Sequence, residues 1–116
     1  MKLTRAADAA PYTAPRHHGV CTMRLQGHEA GFTERFWVGV SLYRPGGKAD
    51  TAAVQEETIY VVLDGELVID ADGTETVLQR LDSVHFFGGE VRSIRNVSGR
   101  EALLLVAVAH PAESFS

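Results

Sequence analysis

Short apolar stretches separated by turn residues run through most of the chain. From Val20 onward, stretches rich in Val, Ile, Leu, Thr and aromatic residues alternate with Gly, Pro and Asp, which is typical of successive β-strands. No long window follows the period of an amphipathic α-helix. The pattern predicts eight strands, which is typical of a closed or two-sheet all-β architecture. These strands cover residues 20–25, 34–44, 58–63, 66–71, 75–79, 83–86, 92–96 and 102–109.

Turn-forming sequences stand between the predicted strands. Asp64-Gly65 and Asp72-Gly73 each lie between two apolar stretches and predict hairpins, because glycine adopts positive φ at little cost. Pro45-Gly46-Gly47 predicts the end of the long strand before it, because proline cannot donate to a β-ladder and two glycines permit a reversal.

The first sixteen residues lack this alternation. They contain Pro11 and Pro15 and follow neither a helical nor a strand period. We therefore expect residues 1–16 to form an N-terminal arm, lying along the body or a neighbouring subunit, and residues 17–116 to form a single barrel domain. The exposed sheet edges of a small barrel, together with this arm, predict a homodimer.

Charge and hydropathy narrow the partners. Lys and Arg total 11 against 15 Asp and Glu, a net charge of −4, and the basic residues are scattered, which argues against a nucleic-acid partner. The longest apolar run, residues 102–109, is far shorter than the roughly 20 residues that a membrane helix needs. The first fifteen residues contain no apolar segment typical of a signal peptide. We therefore predict a cytoplasmic protein with no membrane partner.

Two glycine-bounded segments carry a resemblance to a known family. Gly46 and Gly65 enclose a strand-turn-strand segment, and Gly89 and Asn96 lie at fixed positions in a second segment. This spacing resembles the two motifs of the cupin family, whose members are small jelly-roll barrels of the RmlC-like type. The resemblance covers residues 45–96 and implies a cupin-type double-stranded β-helix of about eight or more strands.

The positions at which cupins carry metal ligands hold other residues here. The two histidine positions of the first motif hold Ala52 and Val54, its glutamate position holds Thr58, and the histidine position of the second motif holds Arg92. These side chains offer a transition metal no imidazole, carboxylate or thiolate. Arg92 would also place a fixed positive charge where the ion belongs. We therefore predict that the metal site is lost and that no cofactor is bound.

One route to a metal site stays open. A one-residue β-bulge would turn Glu57 into the barrel in place of Thr58. His17, His18 or His85 would then supply imidazole ligands from other strands. Such a rebuilt set would support the metal-dependent dioxygenase or decarboxylase chemistry that the resemblance implies.

Strand alternation predicts a pocket centred on Arg92. If Thr58 faces the interior, the period of two also turns Tyr60 inward, and Arg92 faces them from an opposing strand. A buried guanidinium needs a partner. That partner is either Glu57 or Glu90 in a salt bridge, or an anionic group of a small ligand.

Trp37 and Tyr43 share one face of the strand predicted at residues 34–44. If that face lines the barrel, their rings would wall a bound ligand. If it faces outward, the same residues would form a dimer contact. The sequence leaves both arrangements open.

The sequence therefore predicts a metal-free cupin that binds a small anionic metabolite in an arginine-centred, partly aromatic pocket. An alternative is an isomerase, epimerase or lyase in which Arg92 stabilises an oxyanion and a histidine or Glu57 moves the proton. Whether any reaction is catalysed is left open. The predicted ligand-binding residues are Arg92, Tyr60, Thr58, Trp37 and Glu57.

Overall fold

Nine β-strands account for most of the fold, which the computed structural model describes for residues 1–112. In chain order they are β1 (Ala10–Tyr12), β2 (His17–Gln26), β3 (Phe36–Ala53), β4 (Thr58–Asp64), β5 (Leu67–Ala71), β6 (Thr74–Leu78), β7 (Ser83–Phe86), β8 (Val91–Arg95) and β9 (Ala102–Ala109). Short 3₁₀ turns lie at Ala6–Asp8 and His28–Ala30. The last four residues of the predicted 17–116 domain lie outside the described range.

The strands form a nearly closed barrel in which β3 is the central strand of the sheet. The order of hydrogen-bonded neighbours is β6-β5-β8-β3-β9-β4-β7, while β2 pairs with both β1 and β3. Many spatial neighbours are not sequence neighbours, as the crossover connections of a jelly roll require. The prediction of a cupin-type, all-β barrel is confirmed.

Alternation along β4 separates the barrel interior from its surface. Thr58, Tyr60 and Val62 are buried, whereas Ile59 between them is exposed. This is the period of two that a pleated strand imposes, and it confirms the predicted inward direction of Thr58 and Tyr60. The buried core contains Tyr43, Ala49, Val54, Tyr60, Val62, Leu67, Ile69, Leu78, Phe86, Ile94, Ala102, Leu104 and Val106.

The prediction that Pro45-Gly46-Gly47 ends a strand is wrong, because β3 continues through these residues to Ala53. Gly46 takes a φ of 81°, which bends the strand without ending it. The Gly46 amide donates to the Asn96 carbonyl at 2.9 Å, and the Asn96 amide donates to the Gly47 carbonyl at 2.9 Å. One bent strand therefore pairs with β9 through its first half and with β8 through its second.

The N-terminal arm is more ordered than its sequence predicts. Residues 10–12 form β1, which pairs antiparallel with β2, and the Thr22 hydroxyl donates to the Tyr12 carbonyl at 2.5 Å. The arm thus lies along its own barrel and adds a ninth strand.

The homodimer stays a prediction. Within residues 1–112, no helix is long and apolar enough to cross a membrane.

Asn96 ties the end of β8 to its surroundings. Its side chain is buried, and Nδ2 donates to the carbonyls of Tyr43 at 3.0 Å and Arg100 at 2.7 Å. Its Oδ1 accepts hydrogen bonds from the amide and hydroxyl of Ser98 at 3.0 and 2.7 Å. The asparagine that the family resemblance singled out therefore has a structural role.

We predict that Asn96→Ala lowers the free energy of unfolding by about 2–4 kcal/mol, because it removes a buried side chain that donates to the Tyr43 and Arg100 carbonyls and accepts from Ser98. Urea denaturation followed by circular dichroism measures this. Ser98→Ala is the control, with an expected loss of about 1 kcal/mol because it removes a single hydroxyl. A loss under about 0.5 kcal/mol for Asn96→Ala would contradict the assigned role.

Candidate functional site

A cavity of about 710 Å³ opens into the barrel, a size typical of small-molecule sites. Its walls come from the arm and from β1, β2, β3, β4, β8 and β9. Its aromatic lining residues are Tyr12, Trp37, Tyr43 and Tyr60. Its charged or titratable lining residues, apart from the tyrosines, are Arg16, His17, Arg24, Asp50 and Arg92.

Arg92 lines this cavity and is held by neutral acceptors. Its Nε donates to the Tyr60 hydroxyl oxygen and its Nη1 to the Asp50 main-chain carbonyl, each at 3.2 Å. None of the carboxylates in residues 1–112 forms a salt bridge with it. The guanidinium charge therefore stays available to a ligand that enters the cavity.

The salt-bridge partners predicted for Arg92 are engaged elsewhere. Glu57 Oε2 lies 2.5 Å from His85 Nε2, and Glu90 Oε2 accepts from the Phe87 amide at 2.7 Å. Glu57 is exposed and lies outside the cavity lining, because β4 begins at Thr58 with that residue facing inward. Glu57, which the sequence predicted as a pocket residue, therefore does not line this cavity, and no bulge turns it inward.

The residues at the family's metal-ligand positions do converge. Ala52, Val54, Thr58 and Arg92 all line the cavity. The Thr58 hydroxyl donates to the Glu56 carbonyl at 2.8 Å. The methyl, isopropyl, hydroxyl and guanidinium groups found there do not fit a divalent transition metal.

The histidines considered for a rebuilt metal site do not gather either. His17 lines the cavity, whereas His18 binds Asp50 at 3.0 Å and His85 binds Glu57 on the outer surface. Within residues 1–112, no three His, Cys, Asp or Glu side chains are grouped as metal ligands.

Trp37 and Tyr43 both face the cavity, which settles the alternative that their sequence left open. Gly39 lies between them on the same face of β3, and a Cβ there would lie 3.1 Å from the Trp37 ring and 2.6 Å from the Met23 carbonyl oxygen. Any side chain at position 39 would crowd the Trp37 indole, so glycine leaves room for the ring in the cavity wall. Tyr43 is fully buried, and burial raises its pKa far above the ordinary value.

Arg24 and Tyr12 are among the cavity-wall residues that sequence reasoning missed. The Arg24 guanidinium carbon lies 3.5 Å from the Tyr12 ring centroid and 4.1 Å from that of Trp37, a double cation–π contact. Arg24 Nε also donates to Glu29 at 3.2 Å. Alternation with buried Thr22 on β2 is a signal that points Arg24 inward, whereas nothing in the aperiodic arm identifies Tyr12.

His17 is the one histidine among the described residues that line the cavity. Its Nδ1 lies 2.8 Å from the Pro15 carbonyl, which only accepts, so Nδ1 carries the proton and Nε2 is the acceptor in the neutral ring. Burial lowers the pKa of His17, and the Arg92 charge lowers it further. The ring is therefore a neutral base near pH 7, the proton-handling group that the enzyme alternatives require beside Arg92.

Comparison with known proteins identifies the family. Residues 39–108 match the family model described as the cupin domain. The chain belongs to the cupin family. Among solved structures, a predicted oxalate decarboxylase from Thermotoga maritima has a TM-score of 0.79 at 22% identity, covering 96% of this chain and 100% of that one. The polyketide cyclase RemF from Streptomyces resistomycificus has a TM-score of 0.82 at 18% identity, covering 94% and 79%. These likenesses concern the fold.

A curated relative is much more similar in sequence. This cupin is 68% identical over 111 residues to a β-D-galactosidase of Mycobacterium tuberculosis, and the match covers 96% of each chain. The similarity therefore extends beyond the family-model region to the N-terminal arm and β2, which contribute Tyr12, His17 and Arg24 to the cavity.

We predict that Arg92→Met keeps the fold and costs about 1–2 kcal/mol of unfolding free energy, because it removes hydrogen bonds to neutral partners and keeps the aliphatic stem. Urea denaturation measures the loss. Arg95→Met, which removes a surface arginine paired with Glu75 at 2.6 Å, is the matched control. Loss of the folded state in Arg92→Met would instead indicate a buried structural ion pair.

Proposed function

We propose that this cupin hydrolyses β-D-galactosides in the barrel cavity. The observation that carries the proposal is the 68% identity to a β-D-galactosidase across 96% of both chains. The cavity supports it physically, since Trp37, Tyr12 and Tyr60 supply aromatic area for the apolar face of a sugar. The polar side chains that line the same cavity supply the hydrogen bonds that sugar hydroxyls need.

The proposed chemistry differs from that of most glycosidases, which use two carboxylates across the scissile bond. Asp50 is the one carboxylate among the described lining residues, and its Oδ2 binds His18 at 3.0 Å. The acid and base roles therefore fall to other groups, and Tyr60 and His17 are suited to them.

Tyr60 is our candidate general acid. Its oxygen accepts a hydrogen bond from Arg92 Nε, which leaves its own O–H free to donate toward a glycosidic oxygen in the cavity. The Arg92 charge stabilises the negative charge that this oxygen gains as the proton leaves. In this reaction Arg92 is a positioning and electrostatic residue.

His17 is our candidate general base. Its Nε2 accepts a proton from water as the water oxygen bonds to the anomeric carbon. The bond from that carbon to the leaving oxygen breaks, and the leaving oxygen takes the Tyr60 proton. Proton transfer back from His17 to Tyr60 through solvent restores both groups.

We predict that the purified protein hydrolyses p-nitrophenyl β-D-galactopyranoside faster than the β-D-glucopyranoside, and that Tyr60→Phe and His17→Gln each lower kcat by about 10²–10⁴-fold. Release of p-nitrophenol measures the rate, and circular dichroism checks folding. His85→Gln, which removes a histidine outside the cavity, is the control for His17. Undiminished rates in folded Tyr60→Phe and His17→Gln would rule out this assignment.

We further predict that kcat/KM falls in acid with a midpoint below 6.5, the ordinary histidine value from which burial lowers the pKa of His17. The neutral base is active, so activity is present above the His17 pKa and is lost as pH falls through it. A pH profile of kcat/KM from 4 to 8 tests this. The fall of kcat/KM in acid should persist in His18→Gln and disappear in His17→Gln. If the fall is unchanged in His17→Gln, another group is responsible for it.

A second candidate is binding of a small anionic metabolite through Arg92 without a reaction. The favouring observation is that Arg92 has neutral partners only, among the residues described. Under this candidate no galactoside is hydrolysed, and small carboxylates raise the melting temperature of the wild-type protein but not of Arg92→Met. The hydrolysis assay separates the two.

A further inference from the structure

The charge of the cavity is opposite to that of the chain. The chain has a net charge of −4, yet the cavity lining contains the three arginines Arg16, Arg24 and Arg92. Asp50 is the one acidic residue among the described lining residues. A cleft whose wall carries one sign of charge concentrates ligands of the opposite sign.

Asp50 does little to neutralise this wall. Its Oδ2 lies 3.0 Å from His18 Nε2 and its Oδ1 lies 3.8 Å from Lys48 Nζ, and neither of these partners lines the cavity. The contact of Asp50 with Arg92 is through its main-chain carbonyl. Glu29 pairs with Arg24 at 3.2 Å, whereas Arg16 and Arg92 form no salt bridge with a carboxylate in residues 1–112, so the lining keeps an excess of positive charge.

Arg24 is held rigidly in this wall. The Tyr12 and Trp37 rings lie on its guanidinium at 3.5 and 4.1 Å, and its side chain is 13% exposed. Nε binds Glu29, a half-exposed carboxylate outside the cavity lining. Nη1 is buried without a hydrogen-bond partner among the residues described. A buried donor of a charged group lacking an acceptor is unfavourable. Because Arg24 also lines the cavity, a ligand there contacts this side chain and can offer an acceptor to its guanidinium.

Arg16 stands at the same cavity in an unusual backbone conformation. Its φ is 61°, in the left-handed region that non-glycine residues rarely adopt. The Asp50 amide donates to its carbonyl at 2.9 Å and fixes the turn. A strained residue of this kind is often found at a binding site, and here it adds an exposed arginine to the lining.

We propose that the cavity recognises a galactosyl unit that carries a negative group, a carboxylate or a sulfate ester, and that Arg24 is the residue that holds this group. This inference rests on the proposed hydrolysis of galactosides and names the substrate class. Tyr12 and Trp37 orient the guanidinium, and a planar carboxylate or a sulfate oxygen provides the acceptor for its free donors. Tyr60 and His17 then act on the glycosidic bond as described above.

The test compares kcat/KM for p-nitrophenyl β-D-galacturonide, the 6-sulfated p-nitrophenyl β-D-galactoside and the neutral galactoside. Arg24→Met keeps stem volume and removes the charge, while Arg100→Gln removes an exposed arginine that does not line the cavity. Taking the ratio of acidic to neutral substrate within each protein cancels the intrinsic reactivity of each glycoside. Circular dichroism checks that Arg24→Met is folded, and Arg24→Lys serves as a second variant.

We expect Arg24→Met to lower the acidic-to-neutral ratio by about tenfold or more, the loss expected for one charge-assisted hydrogen bond, and Arg100→Gln to leave it unchanged. Raised ionic strength should increase KM for the acidic substrates more than for the neutral one. A fall in the ratio for the galacturonide alone would identify the recognised group as a carboxylate. A fall for the sulfated galactoside alone would identify it as a sulfate ester. A ratio unchanged in folded Arg24→Met and Arg24→Lys overturns the inference.

Failure of the proposed hydrolysis is distinguishable from failure of this inference. If none of the glycosides is hydrolysed, isothermal titration calorimetry with D-galacturonate and D-galactose still reports recognition of the acidic group. Tighter binding of galacturonate that is lost in Arg24→Met supports the inference while refuting hydrolysis. Equal affinities for the two sugars overturn it.

Discussion

The barrel depends on the bend of β3 at Gly46 and Gly47. Glycine permits the positive φ, and the Asn96 backbone binds both residues, so β3 can pair with β9 on one side of the bend and with β8 on the other. Because of this bend, one strand carries Trp37 and Ala52 to the same cavity. The buried Asn96 side chain holds the adjoining loop and β3 in register.

Arg92 changes what the family's metal-site positions can do. In a cupin metal centre the positive charge belongs to a bound ion, whereas here it belongs to the Arg92 side chain. Hydrogen bonds to the Tyr60 hydroxyl and the Asp50 carbonyl orient the guanidinium. A fixed cation can stabilise an oxyanion or bind an anionic group, but it cannot activate oxygen or change its oxidation state.

The N-terminal arm contributes to both the fold and the site. It pairs with β2 as β1, and it brings Tyr12 onto Arg24 beside Trp37, with the two rings at 81° to each other. The guanidinium is thereby desolvated and oriented before any ligand arrives, which lowers the entropy cost of binding. The arm also contributes Arg16 to the cavity lining. Its positive charge disfavours cationic ligands, so the arm affects the selectivity of the cavity as well as its shape.

The sequence by itself determined eight of the nine strands in outline, through their apolar stretches, and the family, through the spacing of its motifs. It also determined the inward direction of Thr58, Tyr60 and Arg92, because alternation with a period of two is a local property of each strand. Only the tertiary structure decided that Glu57 lies outside, that Trp37 faces inward and that Tyr12 joins Arg24. These outcomes depend on strand pairing and on where a turn sequence bends a strand without ending it. Contacts between residues distant in the chain leave no periodic signal for a single sequence to reveal.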